Sequence, residues 1–383
     1  MLKVAQRGRI SPFIVMDVVR AANALAAEGE DVLHLEVGQP ATRAPEPVLQ
    51  AAKQALDQSL IGYSDAFGLA ELRQALAGHY AATYGVELDP ARIAATPGSS
   101  GGFLLAFLAA FEPGDRVALA APGYPAYRNI LTALGVEPVL LETDLEHRYQ
   151  PTPELLSRAG PLDGLIVASP SNPTGTVLNR PALQALVDYC ATEKLRLISD
   201  EIYHGITYAD RATSVLELTD QAIVINSFSK YFCMTGWRLG WMVLPEDLVR
   251  PVECLAQNFF VAAPTLSQYA AIAAFGCRSE LDARVEAYAG NRSLLLDRLP
   301  KMGFDRLAPA DGAFYLYADV GRLTNDSPAF CARVLQETGV AMTPGVDFDP
   351  LRGHRFVRFS FAGTQDTMAG ACDRLAAFLG TGG

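Results

Sequence analysis

The chain has 383 residues, half of them hydrophobic and 19% of them charged, and its formal net charge at pH 7 is −11. This length exceeds the usual limit of a single hydrophobic core and predicts two domains, or one large domain with an appendage. The acidic balance, without any cluster of lysine and arginine, argues against a nucleic-acid partner, and no apolar run approaches the roughly 20 residues of a membrane span. The first residues lack the apolar core of a secretory signal. Six scattered cysteines without a C-x-x-C pair indicate reduced thiols in a cytoplasmic protein, and no metal site.

The predicted elements begin with an amphipathic helix and continue as alternating strands and helices. Residues 11–27 show helical spacing, with Ser11 as a cap and Pro12 in the first turn, and residues 32–37 predict a strand. From about residue 45 onward, strand, polar turn and helix alternate, which is typical of parallel strands joined by helical crossovers. No linker composition marks a domain boundary.

Four of the predicted strands lead directly into an unusually polar turn. The strands and their turns are 93–96 with 97–102, 165–168 with 169–175, 195–198 with 199–204, and 222–225 with 226–230. A helix is expected at 103–111, after the first of these turns. In an open parallel sheet, ligands bind beyond the carboxyl ends of the strands. The four turns are therefore expected to face one crevice.

The side chains of these turns suit a phosphorylated cofactor. Lys230, just past a buried strand and beside hydroxyl groups, suits a partly desolvated amine that can form a Schiff base. Arg238 with Ser227 and Ser229 could hold a dianionic phosphate, and the carboxylate of Asp200 could pair with a ring nitrogen. An amine, a carboxylate and a phosphate nest together are what pyridoxal phosphate requires.

An ordered set of motifs makes this indication specific. The motifs are Gly38-Gln39-Pro40, Gly62-Tyr63-Ser64, Pro122-Gly123-Tyr124, Asn172-Pro173-Thr174-Gly175, Asp200-Glu201-Ile202-Tyr203, Ser227-Phe228-Ser229-Lys230 with Arg238, Gly312-Ala313-Phe314-Tyr315, Pro344-Gly345, and Arg358 within 356–361. In order and spacing they resemble the class I/II aminotransferases of the aspartate aminotransferase superfamily, which are fold type I pyridoxal-phosphate enzymes.

The resemblance implies both an architecture and an activity. The fold class would be α/β, with a mostly parallel sheet sandwiched by helices in a large cofactor domain, 45–285, and a smaller α+β domain formed by 1–44 and 286–383. The activity would be a ping-pong exchange of an amino group between an amino acid and a 2-oxoacid. The enzyme would be a cytoplasmic homodimer with shared active sites.

The resemblance also implies a role for each matching residue. Lys230 would carry the cofactor as a Schiff base and move the proton of the substrate α-carbon, while Asp200 would keep the pyridine nitrogen protonated. Arg358 would bind the substrate α-carboxylate, helped by Gly38 and Asn172. The other expected cofactor contacts are Asn172 and Tyr203 at the ring oxygen, Tyr124 on the ring face, and Ser99, Ser100, Gly101, Ser227, Ser229, Arg238 and the neighbouring subunit's Tyr63 at the phosphate.

The sequence departs from the family pattern in two places. Ser100 is followed by two glycines where the family often has a longer polar side chain, and residues 346–349 replace the Phe-Gly that usually follows Pro344-Gly345. The loop beside the substrate is therefore expected to be unusual. Gly38, Phe67 and Phe260 suggest a pocket that prefers apolar substrates.

Three alternatives are compatible with parts of the pattern. Residues 98–102 match G-x-S-x-G, so Ser100 could be the nucleophile of a serine hydrolase with Asp200 and His354, although Lys230 and Arg358 would then have no role. A pyridoxal-phosphate-dependent C–S β-lyase of the same fold shares the core residues, and the sequence does not separate the two activities. An effector domain of a transcription regulator is not expected, because such proteins carry a basic winged-helix segment ahead of the domain, where this sequence has only about 30 residues.

Overall fold

The chain is described by a computed structural model over residues 2–380. The outermost residues of the expected small domain, 1 and 381–383, therefore lie outside the described residues. In chain order the helices are α1 Ile14–Ala27, α2 Glu46–Gln58, α3 Ala70–Tyr84, α4 Gly98–Ala110, α5 Pro125–Leu134, α6 Pro153–Arg158, α7 Arg180–Glu193, α8 Glu246–Phe259, α9 Thr265–Ala274, α10 Arg278–Arg298, α11 Ser327–Thr338 and α12 Gln365–Gly380.

The strands are short and alternate with these helices. In chain order they are β1 Leu33–His34, β2 Ile93–Thr96, β3 Arg116–Ala121, β4 Glu137–Glu142, β5 Gly164–Ala168, β6 Arg196–Asp200, β7 Ile223–Ser227, β8 Gly240–Val243, β9 Arg306–Leu307, β10 Tyr315–Asp319, β11 Val340–Ala341, β12 Thr343–Pro344 and β13 Phe356–Ser360.

The larger sheet has seven strands in the order β2-β8-β7-β6-β5-β3-β4. Strand β8 pairs antiparallel with both neighbours, whereas the other pairings are parallel. Both faces are covered, as β7 shows: Ile223 and Ile225 belong to one hydrophobic cluster and Val224 to the cluster on the opposite face. Burial on both faces explains why these strands are almost continuously apolar.

A second group of strands lies in the carboxyl-terminal part of the chain. Strands β12, β13, β10 and β9 form an antiparallel sheet in that order, and its Tyr315 and Phe359 side chains pack into a separate hydrophobic cluster. The pair β1 and β11 is parallel and joins the amino-terminal segment to this region. Helix α1 also packs against β11 and β12.

The predicted fold class is confirmed, and three boundaries are corrected. Helix α1 begins at Ile14 and receives no cap from Ser11, because its N-cap position is Phe13. The expected strand at 32–37 is reduced to the two residues of β1. Helix α4 begins at Gly98, so the glycine-rich segment expected to be a turn is the first turn of the helix.

Two features of the described residues bear on the environment of the protein. No helix within residues 2–380 combines the length and apolar character needed to cross a membrane. The six cysteines are free, and all but Cys254 are buried.

Candidate active site

The polar turns converge because the sheet brings strand ends to one edge. Strands β2, β3, β5, β6 and β7 run in the same direction, so the residues that follow them meet at the carboxyl edge. Strand β8 runs in the opposite direction, and its first residue, Gly240, pairs with the last residue of β7, Ser227. Arg238, just before β8, is thereby placed at the same edge as Lys230.

A cavity of about 160 Å³ lies at this edge and is lined by most of the predicted site residues. Those residues are Gly38, Ser99, Ser100, Tyr124, Asn172, Asp200, Tyr203, Ser229, Lys230, Arg238 and Arg358. They come from segments that are distant in sequence, from Gly38 in the loop after β1 to Arg358 in the middle of β13. The fold therefore brings the predicted chemistry into a single space.

Three predicted site residues do not line this cavity. The Ser227 hydroxyl is buried, donates to the carbonyl of Leu239 at 3.1 Å and accepts from the backbone N–H of Ser229 at 3.1 Å. It therefore supports the turn that carries Ser229. Gly101 packs against Pro97 inside the first turn of α4. The Tyr63 side chain lies on the surface and is 86% exposed.

The Lys230 amine donates to the carbonyl of Gly38 at 2.6 Å. Burial, together with the guanidinium groups of Arg358 and Arg238, lowers the pKa of Lys230 to about 8, against the opposing carboxylate of Asp200. A lysine of this kind has a substantial neutral fraction near physiological pH and is therefore a competent nucleophile toward an aldehyde.

The Asp200 carboxylate is buried at the end of β6. It accepts hydrogen bonds from the hydroxyl of Tyr127 and from the backbone N–H of Ile202. Burial raises the pKa of Asp200 to about 6, although both hydrogen bonds oppose that rise. Tyr127 was not predicted. It lies in the first turn of α5, three residues after the N-cap Tyr124, and the two rings are in contact; this i, i+3 spacing is the sequence signal that could have identified it.

The Arg358 guanidinium is held rigidly in the middle of β13. It lies between two aromatic rings, 4.4 Å from the centre of Tyr315 and 4.6 Å from that of Phe348. Its Nη1 donates to Oδ1 of Asn172 at 2.8 Å, and its Nη2 donates to the carbonyl of Glu36. Its Nε is buried and has no hydrogen-bond partner within the described chain.

These contacts leave particular atoms available to a ligand. Since a guanidinium can only donate, its bond to Oδ1 leaves the amide N–H groups of Asn172 free to donate elsewhere. The hydroxyls of Tyr203 and Tyr315 are hydrogen-bonded at 2.7 Å, so Tyr315 fixes the position of the Tyr203 hydroxyl. Tyr315 lies in a predicted motif, but its role in the site was not predicted.

The first turn of α4 forms a cradle for an anion. Its N-cap, Pro97, provides no side-chain cap, so the first amide N–H groups remain free. A Cβ on Gly98 would lie 2.6 Å from Nη2 of Arg238, which means that the glycine makes room for the guanidinium beside the helix terminus. Free amides, a helix N-terminus and an arginine together favour a dianion.

The residues present therefore fit pyridoxal phosphate. The anion cradle, the carboxylate of Asp200 and the amine of Lys230 are the three groups needed for its phosphate, ring nitrogen and aldehyde. The unpartnered Nε of Arg358 is a further donor in the cavity wall, of a kind that a carboxylate could bind. In the described chain no group of three His, Cys, Asp or Glu side chains is arranged to hold a metal ion.

The hydrolase triad is not assembled. Ser100 lies inside α4 and lines the cavity. His354 lies in the short turn before β13 and is not among the residues of the cavity wall. The two hydrogen bonds to Asp200 come from Tyr127 and Ile202. Without a histidine between the carboxylate and the hydroxyl, Ser100 has no general base.

A larger cavity of about 560 Å³ is lined partly by the loops that follow β6 and β7. His79 and His204 contribute to its wall, and burial lowers the pKa of each to about 4. None of the predicted site residues is found among the described residues that line it. The candidate chemistry therefore belongs to the smaller cavity.

Comparisons with known proteins show similarity to aminotransferases along nearly the whole chain. The family described as aminotransferase class I and II matches residues 30–375. A valine–pyruvate aminotransferase of Mycobacterium tuberculosis is 50% identical over 382 residues, covering 98% of each chain. A crystal structure of an aminotransferase from the same organism has a TM-score of 0.97 at 49% identity and covers 100% of both chains. The aspartate aminotransferase of Thermus thermophilus with maleate has a TM-score of 0.92 at 30% identity, covering 98% of this chain and 100% of the other.

Proposed function

Since the chain belongs to the class I and II aminotransferases, we propose that this pyridoxal-phosphate-dependent enzyme transfers the amino group of a short apolar amino acid, such as valine, to pyruvate. The observation that carries the proposal is the single cavity shared by the Lys230 amine, the Asp200 carboxylate and the Arg358 guanidinium. The relative that is 50% identical and named valine–pyruvate aminotransferase supports this choice of substrates.

We propose that the cofactor is held at three points. Its phosphate would bind the first turn of α4, the Ser229 hydroxyl and Arg238, and its pyridine nitrogen would face Asp200. The amide of Asn172 and the hydroxyl of Tyr203 would hold its ring oxygen, with Tyr124 against the ring. When bound, pyridoxal phosphate supplies an aldehyde that receives amino groups and a pyridinium ring that withdraws electrons from the reacting carbon.

Arg358 would orient the substrate through its α-carboxylate. The free Nε lies beside Nη2, which donates to the carbonyl of Glu36 and, at 3.3 Å, to the hydroxyl of Thr343. A carboxylate that replaced the long bond to Thr343 would accept two parallel bonds from this fork. The rings of Tyr315 and Phe348 on either side of the guanidinium keep it from rotating. A carboxylate bound in this way would keep the substrate in the cavity that Arg358 shares with Lys230.

Lys230 would both attach the cofactor and move the proton of the reaction. Its Nζ, once displaced by the amino group of the substrate, would remove the proton from the substrate α-carbon. A pKa lowered to about 8 makes the neutral amine available for this step. Asp200, mostly ionised above about pH 6, would hold a proton on the pyridine nitrogen throughout.

The apolar preference rests on the remaining wall of the cavity. Phe13, Val15 and Met16 line it from the amino-terminal segment. The two arginines in the wall are Arg238 and Arg358, which are assigned to the phosphate and to the α-carboxylate. Within the described wall, no further arginine is therefore left for a second substrate carboxylate. Phe67 and Phe260, which suggested an apolar pocket, do not line the cavity.

The proposal is tested by spectroscopy followed by a single half-reaction. Purified protein incubated with pyridoxal phosphate should show a visible absorption band, and borohydride should fix the cofactor onto Lys230 but not onto the Lys230→Ala variant. Valine without an acceptor should then release one equivalent of 2-oxoacid per site, and pyruvate should restore the starting spectrum. Transaminase activity in Lys230→Ala would refute the mechanism, and faster turnover of aspartate than of valine would refute the substrate assignment.

The C–S β-lyase alternative is distinguished by its products. A cysteine thioether would yield pyruvate and ammonia in an elimination, whereas the proposed transfer consumes an acceptor and releases no ammonia. The relatives named above are aminotransferases, which favours transfer.

We also propose that the enzyme is a homodimer that shares its active sites. Two segments present exposed apolar side chains: Leu56, Leu60, Ile61, Tyr63, Phe259 and Val261. The segments are joined by the hydroxyl of Thr265, which donates to the carbonyl of Gly62 at 2.6 Å. A second copy of the chain would cover this surface and bring Tyr63 to the neighbouring phosphate. A monomeric mass by light scattering at micromolar concentration would contradict the proposal.

We likewise propose the division into two domains and the cellular compartment of the protein. A large domain of 45–285 contains the strands of the seven-stranded sheet, and 286–380 contains the four-stranded sheet, with 1–44 joined to it through β1 and β11. The boundary at 285 falls inside α10. Six free cysteines support a reducing, cytoplasmic location.

A further inference from the structure

Helix α1 receives its cap from the opposite end of the chain. Its N-cap residue, Phe13, has no side chain that can accept a hydrogen bond. The backbone N–H of Ile14 donates to Oδ1 of Asp347 at 3.1 Å, and the N–H of Val15 donates to Oδ2 at the same distance. Both oxygens of this fully buried carboxylate are therefore used on the first turn of α1. A negative charge at a helix N-terminus is favoured by the helix dipole as well.

The loop that carries Asp347 also contacts the substrate-binding arginine. Residues 346–349 are the segment where the sequence departs from the family pattern, between β12 and β13. The residue after Asp347 is Phe348, and the centre of its ring lies 4.6 Å from the guanidinium of Arg358. The carbonyl of Phe348 accepts from the N–H of Gly123 at 3.0 Å. Nη2 of Arg128, in α5, donates to the carbonyl of Asp347 at 2.7 Å. The loop is thus tied to the segment 123–128 while it packs against Arg358.

The turn of α1 that Asp347 holds is part of the cavity wall. Phe13, Val15 and Met16 line the cavity, and the ring of Phe13 packs edge-on against Tyr124 at 5.7 Å. The two N–H groups bound by Asp347 belong to this same segment. A shift of the first turn of α1 would therefore change the width of the cavity on the side left for the substrate side chain.

We propose that Asp347 is a positioning residue that holds the amino-terminal helix against the substrate cavity and thereby determines which amino-acid side chains are accepted. This inference rests on the proposed function, because it concerns the selectivity of the same site. Asp347 does not need to touch the substrate, since it acts through the wall formed by Phe13, Val15 and Met16. Loss of the cap should widen the cavity and reduce the advantage of short side chains over long ones.

The first test is hydrogen–deuterium exchange on the holoenzyme, which requires no activity. In Asp347→Ala, the peptide covering 13–18 should lose at least about tenfold in protection, while peptides of α10 keep theirs. Asp349→Asn is the matched control: it is buried in the same loop, but its carboxylate binds Leu351, Arg352 and no residue of α1. Unchanged protection at 13–18 in Asp347→Ala, or an equal loss in Asp349→Asn, would overturn the proposal.

The second test measures selectivity. The ratio of kcat/KM for valine to that for phenylalanine should fall at least about fivefold in Asp347→Ala, mainly through KM, and should stay constant in Asp349→Asn. If Asp347 acts through the wall, the effect of Val15→Ala on this ratio should be smaller in the Asp347→Ala background than in wild type. A uniform loss for both substrates would overturn the proposal.

The two tests separate this inference from the proposed function. If wild-type enzyme transfers no amino group, the proposed function fails, whereas the exchange measurement still decides whether Asp347 holds α1. Where Asp347→Ala fails to fold, Asp347→Asn can be compared with wild type in the same two tests, because it alters the side chain less. That variant keeps the side-chain shape and one acceptor oxygen for the two N–H donors.

Discussion

Replacing Tyr127 by phenylalanine should raise the pKa of Asp200. The Tyr127 hydroxyl donates to Oδ2 of this buried carboxylate, and a hydrogen bond to a charged group contributes about 1.5–3 kcal/mol. Since one pKa unit corresponds to 1.36 kcal/mol, loss of the bond should raise the pKa of Asp200 from about 6 to between about 7 and 8. The ring itself should stay in place, because it packs against Phe103 and Tyr124.

The consequence is measured as the pH dependence of cofactor affinity. A protonated Asp200 cannot accept from the protonated pyridine nitrogen, so binding of pyridoxal phosphate to the apoenzyme weakens as the pH falls through the pKa of Asp200. In wild type this weakening should begin near pH 6, and in Tyr127→Phe it should begin one to two pH units higher, by the same relation. At pH 7 the variant should bind about two- to tenfold more weakly.

A matched control is provided by Tyr317. Its hydroxyl is buried and has no hydrogen-bond partner within residues 2–380, so Tyr317→Phe removes the same atom without removing a bond to Asp200. Dissociation constants measured by fluorescence titration between pH 5 and 9 should then coincide with those of wild type. The plot of the dissociation constant against pH should have its acid inflection at a higher pH in Tyr127→Phe than in wild type. An inflection that stays within about 0.3 pH units of the wild-type value would refute the reasoning about the pKa of Asp200.

Three further outcomes follow from the site. Capture of pyridoxal phosphate by the apoenzyme should accelerate as the pH rises toward about 8, because Lys230 must lose its proton to attack an aldehyde; a rate independent of pH from 6 to 9 in stopped-flow absorbance would contradict this. Arg358→Lys keeps the charge but loses the planar fork, so kcat/KM should fall about 100-fold for every amino donor while the absorption of the bound cofactor is kept; unchanged kcat/KM would exclude its role at the carboxylate. Gly98→Ala places a Cβ 2.6 Å from Nη2 of Arg238 at a φ of +71°, and should weaken binding of pyridoxal phosphate at least about tenfold but that of pyridoxal less than about twofold; equal weakening would show that the cradle does not hold the phosphate.

The sequence was informative where polar residues lie at the carboxyl end of a buried strand or in the turn after it. Asp200 ends β6, and Asn172 and Lys230 lie in the turns after β5 and β7. The parallel arrangement brings all such positions to the same edge of the sheet. A carboxylate at the end of an apolar run is costly unless it has a partner. The type and position of these residues were therefore sufficient to predict that they meet.

The sequence was less informative about contacts between elements that are distant along the chain. Tyr127 reaches Asp200 from α5, and Asp347 caps α1 across more than 330 residues. Only the packing of these elements determines such pairs, so Ser11, the residue with a local cap signal, was predicted in place of Asp347. The first turn of α4 was missed for a different reason: glycine and serine are weak helix formers, but free N–H groups at its start are what an anion needs.

The position of Arg238 depends on the direction of β8, which a run of apolar residues does not indicate. The lack of an α-helix in the preceding connection does carry this information. Between Ser227 and Gly240 the chain forms only the short 3-10 turn Thr235–Trp237, whereas a parallel neighbour is usually reached through a crossover that contains an α-helix. A strand reached without such a crossover returns antiparallel and begins at the edge where β7 ends. The placement of Arg238 beside Lys230 therefore follows from the absence of an α-helix between them, more than from the identity of either residue.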